Sequence, residues 1–262
     1  MSPHCPPATA AAFANSATKL PPLTLVVATT PITLPCQPQG ISRLGIGHGG
    51  TLPWPRIKPL PKRLNVIITR DESGMVCERA VVEWRAAKER ERQKERECHS
   101  ETATECKKCS SADKDDSIDG QQEENPDILV SNSVESALTT LQDNFGLFSQ
   151  GGKRSLGSVL VIGGGEIYAS SLSLDSSTFG HKMRIVVTDV RRPATEVEKN
   201  EPSNSTNGFD CDTFFPVDHL IGNEEWREAS PAEVSEWVGE KIPEGWVWER
   251  DVAVRFLGFE RK

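Results

Sequence analysis

Short apolar runs set off by Gly, Pro and polar clusters recur along the chain and predict strands. They are Leu23–Ala28, Leu64–Arg70, Ile128–Val130, Val159–Ile162, Met183–Val190 and Val252–Leu257. Val, Ile and Thr dominate them, as suits a pleated, half-buried surface. Val159-Leu160-Val161-Ile162 is apolar throughout, which predicts a strand buried on both faces. Gly163, Gly164 and Gly165 follow without interruption, and Gly165-Glu166-Ile167-Tyr168-Ala169 reads as the first turn of a helix. Ser133 predicts the N-cap of another helix, with Ala137, Leu138 and Leu141 on its apolar side. Trp226 and Val252–Leu257 predict a closing antiparallel hairpin with Pro243–Gly245 in its long connection.

The polar stretches between these runs predict loops and inserts. Residues 1–21, rich in Ala, Pro, Ser and Thr, read as a disordered tail, and 22–262 as one domain. Pro31–Ser42 reads as a loop insertion. Gly45, Gly47, Gly49 and Gly50 fall within six residues, a density that predicts neither helix nor strand interior. That glycine loop runs into Leu52-Pro53-Trp54-Pro55, and either a lid over a ligand or a plain surface loop fits it. Pro53, Pro55, Pro59 and Pro61 exclude a helix over the next stretch. Polar inserts are expected at about 84–125 and 194–208. Glu83–Glu97 has the mixed charge of a solvated helix, and the residues beyond Cys98 have the composition of disorder.

Composition narrows the class. Of 262 residues, 36% are hydrophobic and 26% charged, as expected of one ordinary domain diluted by polar inserts. The net charge of −8 argues against a general nucleic-acid binder. The longest early apolar run, Leu23–Ala28, is too short to span a membrane. Seven cysteines at irregular spacing fit a reducing compartment better than a disulfide framework, so a cytoplasmic protein is expected. Cys106-Lys107-Lys108-Cys109 lacks the second pair that a zinc site needs, and no metal is expected.

Strand, glycines and helix in sequence present bare backbone N–H groups at a helix N-terminus, where a diphosphate binds well. A tight β-to-α turn without a ligand fits the same residues. Taken with Leu23–Thr30 (LTLVVATT), Leu44–Lys58 (LGIGHGGTLPWPRIK), Pro59–Arg70 (PLPKRLNVIITR) and Asp212–Pro216 (DTFFP), the motif Val159–Tyr168 (VLVIGGGEIY) resembles dihydrofolate reductase, most closely its fungal form. The resemblance implies an α/β protein, a three-layer αβα arrangement around a mixed, mostly parallel central sheet. It implies a monomer that reduces 7,8-dihydrofolate to tetrahydrofolate with NADPH, in one-carbon and thymidylate metabolism.

It also implies roles residue by residue. Val26, Val27, Trp54, Arg63, Ile162, Tyr168 and Thr188 would contact substrate, with Arg63 gripping the folate α-carboxylate through its planar guanidinium. Ala28, Gly45, Ile46, Gly47, Gly50 and Thr51 would lie along the nicotinamide side of the cofactor. Ile68, Thr69 and Arg70 would surround its 2′-phosphate, although Asn132 stands where many relatives carry a basic residue. Gly163, Gly164, Gly165, Glu166, Ile167 and Tyr168 would hold the diphosphate.

One part of the family pattern is absent. Between Lys58 and Pro59 the family carries a helix with the active-site acid, then an interior strand and a further short helix. No Asp or Glu occurs from Ile41 to Arg70, so no catalytic residue is assigned. A charge-assisted hydrogen bond from that carboxylate is worth about 1.5–3 kcal/mol, and general-acid help about 10²–10⁴-fold. The resemblance therefore implies a reductase with impaired turnover and a sheet lacking one interior strand with its flanking helices. The alternative is a non-catalytic NADPH-binding relative, or a truncated product without turnover.

Overall fold

The strand β1 (Leu23–Thr33) organises the sheet. Its side chains alternate, so Leu23, Leu25 and Val27 are buried on one face while Val26 packs on the other. In the computed structural model the described residues are 20–33, 42–51, 63–101, 128–146, 155–174, 182–192, 209–249 and 252–262. Residues 1–19 of the expected tail (1–21), the Lys58–Pro59 junction, Trp54, the Cys106–Cys109 motif and the second insert lie outside them, while Leu20, expected in the tail, is buried in the core.

On one side, β1 pairs in parallel with β6 (Met183–Arg191) from Leu23↔Met183 to Thr29↔Asp189. On the other it meets two strands. Its first residues pair in parallel with β5 (Val159–Val161), and its last pair antiparallel with β2 (Ser42–Gly47). β2 continues to β7 (Thr213–Phe214). Beyond β6, the C-terminal β10 (Val252–Arg261) runs antiparallel to it, with β8 (Trp226–Ala229) and β9 (Val247–Glu249) alongside. A separate parallel pair, β3 (Asn65–Ile68) and β4 (Ile128–Ser131), forms a two-stranded sheet.

Helices cover both faces of the large sheet. α2 (Val134–Phe145) and α3 (Gly165–Leu172) bury Val134, Leu138 and Tyr168 against Leu23, Leu25, Ile185, Phe215 and Phe259. On the opposite face, α4 (Pro231–Val238) buries Val234 against Val186 and Ala229. Gly258 makes this packing possible, because a β-carbon there would overlap Val234. The fourth described helix, α1 (Met75–Glu101), is charged and largely exposed, but buries Trp84.

The structure corrects several expectations. The large sheet is mostly antiparallel: five of its seven pairings run that way. The parallel pairs are those whose strands are joined through helices, as at β1–β5. Val159–Ile162 is not buried on both faces; its strand ends at Val161, and Ile162 is 51% exposed. Gly45 and Gly47 lie inside a strand rather than a loop, and strands extend into both ends of the expected Pro31–Ser42 insertion. A β-carbon on Gly45 would sit 2.7 Å from Cys211 Cβ, so glycine here serves close backbone approach. The closing hairpin holds a helix in its connection. α4 has Pro231 in its first turn, and Ser230 and Glu233 form a reciprocal capping box.

The Ser133 cap is as expected, its hydroxyl accepting from the Ser136 N–H at 3.1 Å. α1 begins well before Glu83 and contains the expected solvated helix.

Burial is deepest where β1 and β6 meet and shallower at β3, whose four residues are all half-buried. Ile185→Ala is expected to cost about 2–5 kcal/mol in urea unfolding, and Ile67→Ala clearly less. Equal costs would contradict this ordering.

Candidate functional site

The early glycine turn is a two-residue β-turn. His48 and Thr51 exchange backbone hydrogen bonds of 2.9 and 3.0 Å around Gly49 and Gly50. Both glycines have positive φ, 57° and 71°, which the primed hairpin turns require. Asp212, just before β7, anchors this turn: its carboxylate accepts the Gly49 N–H at 2.8 Å and the Thr213 hydroxyl at 2.9 Å. The His48 imidazole lies 4.0 Å away.

The late glycine turn packs against β2, the strand that leads into the early turn, and against β7. Gly165 opens α3 in contact with β2 and β7, so that a β-carbon there would be 3.4 Å from Thr213 Cγ2 and 3.9 Å from Ile46 Cδ1. Gly164 takes φ of 80° at the N-cap, and α3 has no side-chain cap. A β-carbon on Gly163 would meet nothing within 4 Å. The turn thus offers exposed, uncapped backbone next to the early glycine strand. Tyr168, one turn into α3, is buried. Its ring packs edge-on to Phe215 with centroids 5.2 Å apart, and its hydroxyl donates to the Val26 carbonyl at 2.8 Å. Burial pushes this phenol well above its ordinary pKa.

Between the large sheet and the β3–β4 pair lies a cavity of about 690 Å³. β3 and β5 both line it without pairing to each other, and α2 contributes Val134, Leu138 and Leu141. Of the proposed site residues, Arg63, Ile68, Ile162, Gly163 and Ile167 line it. Thr69 and Arg70 follow at the end of β3. The Thr69 hydroxyl accepts from the Asp71 N–H, and Arg70 makes a 2.7 Å ion pair with Glu166 of α3.

The remaining expected residues are placed differently. Val27 lies in the core, and Val26 packs toward α4. Ala28 and Thr188 are register partners on β1 and β6, both half-buried. Gly50 and Thr51 are exposed at the tip of the early turn, while Gly45, Ile46 and Gly47 are buried in β2. Asn132 is exposed between β4 and α2.

Sequence reasoning missed Trp84 and Glu83 as cavity-lining residues, because they sit in a charge-rich stretch that reads as a solvated insert. The lone tryptophan in that run was the available signal. Glu83 is the one acidic side chain among the described residues that line the cavity; it pairs with Arg79 at 3.4 Å and is exposed. Asp212 was also missed as an anchor, although it opens the DTFFP motif. Among the described residues, no group of three or more His, Cys, Asp or Glu is placed to hold a metal, and no helix is long and apolar enough to cross a membrane.

Among solved structures, the chain is similar to Schistosoma mansoni dihydrofolate reductase, at 17% sequence identity and a TM-score of 0.42, over 93% of this chain and 100% of that one. No protein-family model matches the sequence. No curated protein matches it.

The Gly49 N–H, then the Thr213 hydroxyl, holds the Asp212 carboxyl below its ordinary value. A lowered folded pKa means that this anchor is fully present above the unfolded value of about 3.9. It is lost as pH falls through the lower folded value. The part of the Gly49 amide NMR shift that depends on Asp212 should therefore hold down to about pH 4 and be lost only below it. Asp212→Asn should remove that part at neutral pH. A midpoint at or above the ordinary carboxylate value would contradict the anchor.

Proposed function

We propose that this chain is a dihydrofolate reductase-like NADPH-binding protein that reduces 7,8-dihydrofolate with a weakened chemical step. The observation that carries the reading is the packing of the late glycine turn against the two strands that hold the early one, seen in the approach of Gly165 to Ile46 and Thr213. Leu44, which opens the first motif, and Val159, which opens the second, are 115 residues apart, yet Ile46 and Gly165 are neighbours.

The residues present fit a dinucleotide. The open backbone at Gly163 and Gly164 and the uncapped start of α3 suit a diphosphate, because unpaired N–H groups and the helix dipole both favour the anion. Arg70, with Thr69, suits a phosphate on the adenine ribose. Of the early glycines, the exposed Gly49 and Gly50, with open space where a side chain would stand, suit the flat nicotinamide, whereas Gly45 and Gly47 are buried in β2. When bound, NADPH supplies the hydride. The chain's own residues bind and orient: Arg63, exposed at the cavity, suits the carboxylate of the folate tail, and the apolar cavity wall excludes water around the pterin. Tyr168 acts from beneath, tying α3 to β1 through the Val26 carbonyl.

What this arrangement lacks is a carboxylate held against the pterin. Glu83, exposed and paired with Arg79, does not offer the buried, preorganised acid that proton delivery to the pterin calls for. The absent segment would have supplied both that acid and a strand between β3 and β5, in the region where the cavity lies.

Titration of the purified chain with NADPH and with a folate analogue, followed by tryptophan quenching, tests the reading. Saturable binding of both is expected, with turnover about 10²–10⁴-fold below that of a reductase carrying the acid. Absence of NADPH binding would overturn the assignment. NADPH binding without folate binding would favour the non-catalytic relative, and ordinary turnover would refute the impaired step.

A further inference from the structure

Arg70 and Glu166 come from two separate elements, 96 residues apart in sequence, and meet at 2.7 Å. Arg70 stands just beyond β3, and Glu166 is the second residue of α3. An acidic side chain in the first turn of a helix is ordinarily drawn to that helix's unmet N–H groups. Here the carboxylate reaches across to the guanidinium instead, while α3 keeps no side-chain cap. Both side chains are more than four-fifths exposed, at 82% and 81%. Such a pair holds little of the fold together and is open to exchange with a dissolved anion. Asp71, next in sequence to Arg70, is engaged elsewhere: its carboxylate accepts the Ser73 and Val76 N–H groups at 3.0 and 2.8 Å.

We propose that Glu166 is an internal competitor for Arg70, and so sets how strongly the cleft selects a nucleotide carrying a ribose phosphate. The inference rests on the nucleotide reading given above. A guanidinium binds carboxylate and phosphate through the same fork of N–H donors. A phosphate that takes this fork displaces the carboxylate and leaves it charged nearby. That repulsion opposes the very contact that discriminates the phosphorylated nucleotide. A dinucleotide without the ribose phosphate does not draw on Arg70, and its binding is indifferent to the exchange. Replacing the carboxylate by an amide frees the guanidinium, removes the repulsion, and leaves the side-chain shape in place.

The test uses the full-length protein, unaltered and as Glu166→Gln, Arg70→Gln and the double variant. Each is titrated with NADPH and separately with NADH by tryptophan quenching, with thermal unfolding by circular dichroism as the check on folding. Glu166→Gln should tighten NADPH about three- to six-fold more than it tightens NADH, since the charge lost beside the α3 turn acts on the diphosphate of both. In the Arg70→Gln background that difference should vanish, as coupled partners require. An equal effect of Glu166→Gln on NADPH and NADH, or a difference that persists without Arg70, would overturn the competitor role while leaving the cofactor reading intact. Binding of NADPH by Glu166→Gln but not by the unaltered chain would support the competitor role and overturn cofactor use by the natural sequence. Binding by neither would overturn both.

Discussion

The constraint on which the structure depends is an interruption in its hydrogen bonding. β1 and β6 pair in parallel over seven residues at the centre of the large sheet, whereas β3 and β5 both line one cavity and, among the described residues, pair with β4 and with β1 but not with each other. Alternate residues of a parallel strand direct their N–H and C=O groups to opposite sides. Each of these two strands therefore turns part of its backbone toward the gap. Extended edges of this kind are costly when buried and adhesive when exposed. Here they stand at the rim of an apolar space, and the protein is at once divided and given its cleft there.

The well-paired part explains the rigidity of the proposed site, and the divided part its openness. β1 places Val26 so that its carbonyl receives the Tyr168 hydroxyl, which fixes α3 and with it the late glycine turn. β2 and β7 bring the early turn to the same place, held by the Asp212 bond to Gly49. On the other side, β3 and β4 reach the large sheet through α2 and through the exposed Arg70–Glu166 pair. A ligand that bridges Arg70 and the α3 turn would thus join two parts that the backbone leaves unpaired.

Much of this was legible in the sequence where local chemistry decides the outcome. The strands read from β-branched runs are present, Ser133 caps α2, and the glycines at 163–165 lead into a helix. What was not legible depended on distant partners. Gly45 reads as a loop residue, and only the approach of Cys211, 166 residues away, makes it a strand position. The run Val159–Ile162 reads as doubly buried, but burial depends on what distant elements pack over each face, and here Val159–Val161 are half-buried and Ile162 is exposed. The antiparallel majority was missed because β10, from the far end of the chain, inserts between β6 and β8. The α4 helix was legible in Ser230-Pro231-Ala232-Glu233, a capping signature inside the stretch that reads as the connection of the closing hairpin.

The central claim is that two glycine turns, remote in sequence, form one nucleotide cleft. Amide chemical-shift mapping during NADPH titration tests it most directly. The account predicts that the amides of Gly163–Gly165 and of Gly45–Gly50 shift together, with one dissociation constant. Shifts confined to one turn, or to neither, would contradict it.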